Sequence, residues 1–189
     1  NMDVSIECNT NDEVKTLTES IQQMAQNLKA YVKEINGLVY RDGLTGVKNK
    51  TYYYEYIKSL SEEAQKQPYT IVVFKVTGLA GVNKTRGRKC GDELIVTACG
   101  IICRVFSHSP IFRIGGDEFV AFLKGNDYMK CGELLREFED LSSDVTLVGA
   151  PDIAVRIVYG MAQSADGTEP YEEVFCRADE EKDQKKKGM

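Results

Sequence analysis

The stretch FRIGGDEFVAF, residues 112–122, places two glycines and two carboxylates between two short apolar runs. This pattern predicts a β-hairpin, because glycine adopts the positive φ that a tight turn needs and lets a ligand approach the backbone. A turn does not need two adjacent acids, and two solvated side chains are the commoner reason for such a pair. Mg²⁺ binds oxygen ligands, often one or two carboxylates plus the phosphates of a substrate. Asp117 and Glu118 are therefore candidate ligands for metal-dependent phosphoryl or nucleotidyl transfer.

Helix-like and strand-like segments alternate around this hairpin. In the order α-β-α-β-β-α-β-α, they are expected at about residues 50–65, 69–76, 91–106, 111–114, 118–123, 128–141, 153–159 and from 170 onward. This order predicts an α+β fold, a central antiparallel sheet with flanking helices largely on one face, as in ferredoxin-like, palm-type domains. One expected strand contains IVVFKVTGL (71–79), in which Lys75 interrupts an apolar run. Gly78, Gly81 and Gly87 then predict a loop.

The composition is that of an ordinary globular chain. Its 189 residues suit one domain plus an appendage, and the net charge of −5 argues against a protein that binds nucleic acid through a positive field. The six cysteines form no CxxC pair and the chain has one histidine, so buried thiols in a reducing cytosol are expected rather than a zinc site. No run of about 18 apolar residues is present, so no membrane-spanning segment is expected in this sequence.

The first forty residues differ from the rest in the spacing of their apolar residues. These recur in steps of 3 and 4 without a slip, at Val14, Leu17, Ile21, Met24, Leu28, Tyr31, Ile35 and Leu38. A stripe this narrow and long favours a coiled coil, and hence a homodimer, over the alternative of an amphipathic helix packed on its own domain. Gly37 and RDGLTG (41–46) end the pattern. We therefore expect a long N-terminal helix in residues 1–40 and a globular domain in residues 41–189.

The same N-terminal segment resembles part of a signalling module. The run DVSIECNTNDEVKTLTESIQQMAQNL is similar to the second half of a HAMP module, with its DE-containing entry and its L..S...M...L helix. HAMP modules lie just inside the membrane and pass motion from a sensor to an output domain. The resemblance implies a cytoplasmic domain whose parent protein is anchored in the bacterial inner membrane, with a membrane sensor upstream.

Four motifs cover nearly the whole globular part, residues 42–187. In chain order they are DGLTGVKNKTYYYEYI, VNKTRGRKCGDELI, RIGGDEFVAFL and RADEEKDQKKKG. Their sequences and order resemble those of the GGDEF family, the diguanylate cyclases. The resemblance implies a nucleotide-cyclase palm that binds GTP with Mg²⁺ or Mn²⁺. Two such domains meet face to face and join two GTP into cyclic di-GMP.

The resemblance also implies roles for the hairpin residues. Asp117 matches the acid that coordinates the metals, and Glu118 matches the adjacent acid of the same site, with a metal or base role. Gly115 and Gly116 match the turn where the phosphates approach the backbone. The hairpin would thus hold the metal ligands and receive the triphosphate.

Guanine and phosphate contacts are implied at three further positions. Asn83 and Asp92 match the residues that read the guanine edge. Such roles are chemically reasonable, because a carboxylate accepts from guanine N–H groups and an amide both donates and accepts. Lys186 aligns with a late lysine that contacts the phosphates.

One departure from the family pattern bears on activity. Counted back from Gly91 and Asp92, the second metal-binding carboxylate of the family falls on Lys75. Replacing an acid by a lysine changes the local charge by about +2, and a site for two divalent ions depends on its carboxylates. We therefore predict that Lys75 pairs with Asp117 or Glu118 in place of a metal, and that cyclase activity is weak or absent. The alternative is that Lys75 points away and the alignment is shifted by one.

Smaller departures accompany Lys75. Lys84 and Arg88 replace an aspartate and a histidine of the family pattern. Lys182 and Asp183 replace an apolar pair in the last helix, which predicts less burial there. The RxxD motif of product inhibition would occupy residues 106–109 and is missing, so feedback through that site is not expected.

Two functions of different classes follow. The first is an enzyme, a diguanylate cyclase output domain dimerised by its coiled coil. The second is a regulatory module, a degenerate domain that binds GTP or nothing and acts through dimerisation or a partner. The retained acids and guanine-reading residues favour the enzyme, whereas Lys75 and the altered last helix favour the module.

Overall fold

The computed structural model describes residues 13–62 and 67–187. The chain divides into two compact units, Asn1–Arg41 and Asp42–Met189. The first unit contains helix α1, Glu13–Tyr40. At 1.5 Å per residue, its 28 residues extend over about 42 Å.

Helix α1 carries the predicted apolar stripe on its surface. Five residues of the stripe are at least 41% exposed: Leu17, Ile21, Met24, Leu28 and Tyr31. The side chains of Val14, Ile35 and Leu38 lie outside the described part of the chain, as do residues 1–12, which include the start of the HAMP-like stretch. The predicted helix is confirmed, and its pairing into a coiled coil stays a prediction.

The second unit has five strands and six helices within its described residues. The strands are β1 (Lys48–Asn49), β2 (Tyr69–Val76), β3 (Ile111–Arg113), β4 (Glu118–Lys124) and β5 (Ile157–Ser164). The helices are α2 (Lys50–Glu62), α3 (Leu79–Arg86), α4 (Arg88–Val105), α5 (Gly125–Met129), α6 (Cys131–Ser142) and α7 (Tyr171–Lys187). This arrangement confirms the predicted α+β, palm-like fold.

The five strands form one mixed sheet in the order β1-β3-β4-β2-β5. β2 pairs antiparallel with β4 and β5, and β3 pairs antiparallel with β4, as predicted. β1 pairs in parallel with β3, with Lys48 opposite Phe112, so the sheet is not antiparallel throughout. Strand β1 was not predicted, because two residues show no alternating pattern and the partner strand lies far along the chain.

Helices cover both faces of the sheet, which corrects the expectation that they pack largely on one. Val72 and Phe74 of β2 lie in a core with residues of α4 and α6. Ile71 and Val73 lie in a second core with residues of α2 and α7. Successive side chains of a strand point to opposite faces. Burial on both faces explains why residues 71–74 of β2 are apolar without alternation.

Other segments also differ from their predicted positions. Helix α3 forms where a loop was predicted. Gly78 (φ 81°) and Gly87 (φ 84°) lie at its two ends and do not interrupt it, and Gly81 lies inside it. The helix expected over residues 128–141 is divided into α5 and α6, and β5 begins later than predicted. No helix in the described segments combines the length and hydrophobicity of a membrane span.

Candidate functional site

Strands β3 and β4 form the predicted hairpin. The amides of Ile114 and Gly115 donate to Glu118 O at 3.0 and 3.4 Å and close the turn. The prediction of positive φ is wrong for both Gly115 and Gly116. The connection is longer than a two-residue turn, so it needs no left-handed residue. An added Cβ at Gly116 would meet nothing within 4 Å, which leaves the backbone accessible there.

Lys75 lies beside the hairpin acids. It is opposite Glu118 in the β2–β4 register, and the amide of Val76 donates to Asp117 O at 2.8 Å. Lys75 Nζ donates to Glu118 Oε1 at 2.8 Å and lies 3.7 Å from Asp117 Oδ1. This contact contradicts the alternative in which Lys75 points away. The stretches 71–79 and 112–122 therefore contribute to one site.

A second lysine, Lys182, reaches the same acids from α7. Less burial is expected from the sequence at this position, but Lys182 is only 2% exposed. Its Nζ pairs with Asp179 and lies 3.5 Å from Glu118 Oε1. Val174, Ala178 and Lys182 follow each other at steps of four on the buried side of α7. That spacing is the signal by which the sequence indicates a buried lysine.

These ion pairs shift the pKa of two groups. Burial acts to raise the pKa of Glu118, but the hydrogen bond from Lys75 and the charge of Lys182 outweigh it, so the pKa lies below its usual range. The hydrogen bond to Glu118 raises the pKa of Lys75, against the opposing effect of burial. The carboxylate and the ammonium are therefore both charged near neutral pH.

The loop before β1 supports the hairpin through Asp42. Asp42 Oδ1 accepts from Thr45 N at 2.9 Å, Thr45 Oγ1 at 2.7 Å and Arg113 Nη1 at 2.8 Å. Arg113 Nη2 donates to Gly116 O at 2.6 Å. Burial acts to raise the pKa of Asp42, but the hydrogen bonds from Thr45 and Arg113 outweigh it and the pKa is lowered. No role was predicted for Asp42, whereas the structure shows that it helps to hold the turn.

The predicted guanine-reading residues lie on α3 and α4. Asn83 packs against Gly91, where an added Cβ would clash with Asn83 Oδ1. This oxygen is buried and has no hydrogen-bond partner among the described residues. Asp92 follows Gly91 and is exposed. Lys186 is exposed in the last turn of α7, and in the described part of the chain no ion pair joins it to the hairpin acids.

Comparison with known families agrees with these motifs. A family model described as "Diguanylate cyclase, GGDEF domain" matches residues 39–189. The chain belongs to the GGDEF family. The activity of that family is the synthesis of cyclic di-GMP.

Known proteins resemble this GGDEF domain in sequence and in fold. It is 32% identical over 91 residues to the probable diguanylate cyclase DgcT of Escherichia coli (strain K12), covering 48% of this chain and 20% of that protein. It is 26% identical over 161 residues to the probable diguanylate cyclase DgcC of the same strain, covering 83% and 43%. The chain thus spans less than half the length of these relatives. The crystal structure of the coiled coil and GGDEF domain of DgcB from Caulobacter crescentus in complex with c-di-GMP has the same fold, with a TM-score of 0.76, 21% identity and coverage of 94% and 96%.

The acids of this GGDEF domain do not fit a divalent metal as they stand. Asp117 and Glu118 offer the oxygen atoms that Mg²⁺ prefers. Lys75 Nζ lies 2.8 Å from one of these carboxylates and 3.7 Å from the other. Among the described residues, no group of three or more His, Cys, Asp or Glu side chains is arranged to hold a metal ion. The chain itself supplies the positive charge next to these acids.

Proposed function

We propose that this chain is the output domain of a signalling protein, and that its own synthesis of cyclic di-GMP from two GTP is weak or absent. The observation that carries this proposal is the 2.8 Å contact between Lys75 Nζ and Glu118 Oε1. GGDEF diguanylate cyclases generally use Mg²⁺ or Mn²⁺, and the candidate ligands here are Asp117 and Glu118. Lys75 engages these carboxylates and also replaces the acid that would complete the metal site.

The charge of Lys75 opposes metal binding strongly enough to matter. Two unit charges about 4 Å apart interact by about 4 kcal/mol at an effective dielectric constant of about 20. The side chains of Lys75, Asp117 and Glu118 are 21 to 31% exposed, so water screens part of this interaction energy. A remaining penalty of about 1.4 kcal/mol is still enough to lower metal affinity about tenfold. The repulsion between Lys75 and a divalent ion is twice that between two unit charges, because the ion carries two charges.

A nucleotide-binding regulatory module is the second candidate function. Asn83 Oδ1 is buried and has no hydrogen-bond partner among the described residues. An unpaired buried acceptor is costly, and a guanine N–H group bound there would satisfy it. The exposed carboxylate of Asp92 can accept a second guanine hydrogen bond. In this function the domain binds GTP, with the phosphates over Gly115 and Gly116, and does not complete the reaction.

We further propose that α1 pairs with a second copy of the chain. A narrow a/d stripe is buried when two helices supercoil, and the described part of this stripe is exposed in the single chain. Pairing would bring two GGDEF domains into one assembly, which the joining of two GTP requires. The HAMP-like motif supports a position downstream of a membrane sensor, and the net charge of −5 gives no support to a nucleic-acid partner.

Production of cyclic di-GMP tests the main proposal. The wild-type chain and Lys75→Asp are incubated with GTP and Mg²⁺ or Mn²⁺, beside Lys130→Asp, which makes the same charge change at an exposed position. We expect product above background in Lys75→Asp alone. Comparable robust product from the wild type and Lys75→Asp would refute the proposal.

Calorimetry with GTP in the presence of EDTA tests the second candidate. Binding that is lost in Asn83→Ala and in Asp92→Ala would support a nucleotide-binding module. Lys84→Ala is the control, because Lys84 is exposed on the same helix next to Asn83. A wild-type chain that binds no GTP under these conditions would exclude this module.

A further inference from the structure

Lys182 is the single buried lysine among the side chains that the structure describes, at 2% exposure. Burying an ammonium group costs free energy unless opposite charges surround it. Three carboxylates do so here: Asp179 pairs with Nζ, Glu118 Oε1 lies 3.5 Å away and Asp183 Oδ1 lies 3.7 Å away. One of the three carboxylates is a hairpin acid.

Close packing of α7 on β5 fixes the position of Lys182. A Cβ added at Gly160 would lie 2.3 Å from Lys182 N and 2.1 Å from Ala178 O, so the two backbones are nearly in contact. The amide of Met161 donates to Glu181 Oε2 at 2.8 Å and adds a second attachment between these elements. With the helix held this closely and the side chain buried, the ammonium group stays beside Glu118.

Two ammonium groups therefore contact the same carboxylate oxygen. Lys75 reaches Glu118 Oε1 from β2 at 2.8 Å, and Lys182 reaches it from α7 at 3.5 Å. The two lysines belong to different elements and have different additional partners, Asp117 for Lys75 and Asp179 for Lys182. A substitution at Lys75 thus leaves the contact of Lys182 in place.

We propose that Lys182 is a second internal cation of this site, which opposes a divalent metal at Glu118 independently of Lys75. This inference rests on the proposed function, in which Lys75 opposes the metal. An acid at position 75 restores metal binding only in part, and further restoration requires that the charge of Lys182 is also removed. In this proposal Lys182 acts only through its contact with Glu118. It is therefore a positioning residue and not a catalytic residue.

Binding of Mn²⁺ without nucleotide, followed by the EPR signal of the free ion, tests this inference. The chains compared are the wild type, Lys75→Asp, Lys182→Met and the double variant. Methionine keeps an unbranched apolar stem and removes the charge. Lys182→Gln, which can still donate to Asp179, is a second neutral substitution in case methionine weakens the fold. The matched control is Lys75→Asp with Lys185→Met, because the ammonium of Lys185 pairs with Glu181 at 2.9 Å instead.

We expect the double variant to bind Mn²⁺ about tenfold or more tightly than Lys75→Asp, since one more unit charge is removed close to the metal. The control should bind Mn²⁺ as Lys75→Asp does. If the double variant has an unchanged melting temperature and binds no more tightly than Lys75→Asp, the role of Lys182 is overturned and the proposed function stands. Tight Mn²⁺ binding by the wild type would instead overturn the proposed function itself.

Discussion

Gly160 lies where α7 packs closely against β5, and we predict that replacing it by alanine destabilises the domain. An added Cβ would lie 2.1 Å from Ala178 O, 2.3 Å from Lys182 N and 3.0 Å from Glu181 C. All three are backbone atoms, which cannot swing aside as the end of a flexible side chain can. Non-bonded atoms prefer separations of about 3.5 Å, so Gly160→Ala must move α7 from the sheet by roughly 1 Å.

The cost of this movement follows from what α7 buries. Val174 and Ala178 of this helix are 0% exposed and belong to the core that it shares with β2. Overpacking a filled core costs about 1–3 kcal/mol. Because rigid backbone atoms cause the clash, we expect a loss near the upper end, about 3 kcal/mol. For a domain of this size, each 1 kcal/mol changes the melting temperature by about 2–4 °C, so Gly160→Ala should melt about 6–12 °C lower.

Gly100→Ala is the matched control for this prediction. Gly100 is exposed in α4, and an added Cβ there would meet nothing within 4 Å. Alanine is better than glycine inside a helix by about 0.5–1 kcal/mol, so this variant should melt about 1–4 °C higher than the wild type. Thermal unfolding followed by circular dichroism measures both changes. A Gly160→Ala chain that melts within about 2 °C of the wild type would refute the packing argument.

Two further predictions concern the loop before the hairpin and the N-terminal helix. Asp42→Ala removes the acceptor of three hydrogen bonds and leaves Arg113, which is 13% exposed, without its carboxylate partner. Urea unfolding should therefore show a free energy of unfolding lower by about 2–4 kcal/mol. The control is Asp152→Ala, which breaks an exposed ion pair and should lower the free energy of unfolding by less than about 1 kcal/mol. Equal losses in Asp42→Ala and Asp152→Ala would contradict the role given to Asp42. Leu28→Lys puts a charge on the exposed seam of α1 and should convert a dimer into a monomer in light scattering, whereas Gln26→Lys, off the seam, should not. A dimer that survives Leu28→Lys would argue against pairing through α1.

Local sequence patterns predicted the elements that they encode directly. The hairpin follows from two glycines between apolar runs, and α1 follows from its unbroken spacing of 3 and 4. The run 71–74 is apolar at every position, which already indicates burial on both faces of the sheet. Helices were nevertheless expected largely on one face, and this expectation was wrong. β1 was not predictable in this way, because its parallel pairing with β3 depends on the tertiary structure.

The candidate site was predictable only in part. The motif spacing placed Lys75 next to the hairpin acids, and the contact with Glu118 is present in the structure. The expectation of less burial at Lys182 was wrong because a helical lysine is ordinarily solvated, although its spacing from Val174 and Ala178 indicates the buried side of α7. The contact between Asp42 and Arg113 joins residues far apart in the chain, and no local pattern encodes it.

The contacts of Asp42 connect the start of the second unit to the hairpin. Asp42 begins the second unit, directly after Arg41 and close in sequence to the end of α1 at Tyr40. Through Arg113 it is linked by hydrogen bonds to Gly116, in the turn that carries Asp117. The residue at which the second unit begins is therefore tied to the turn by side-chain hydrogen bonds. This polar connection includes no residue of either hydrophobic core.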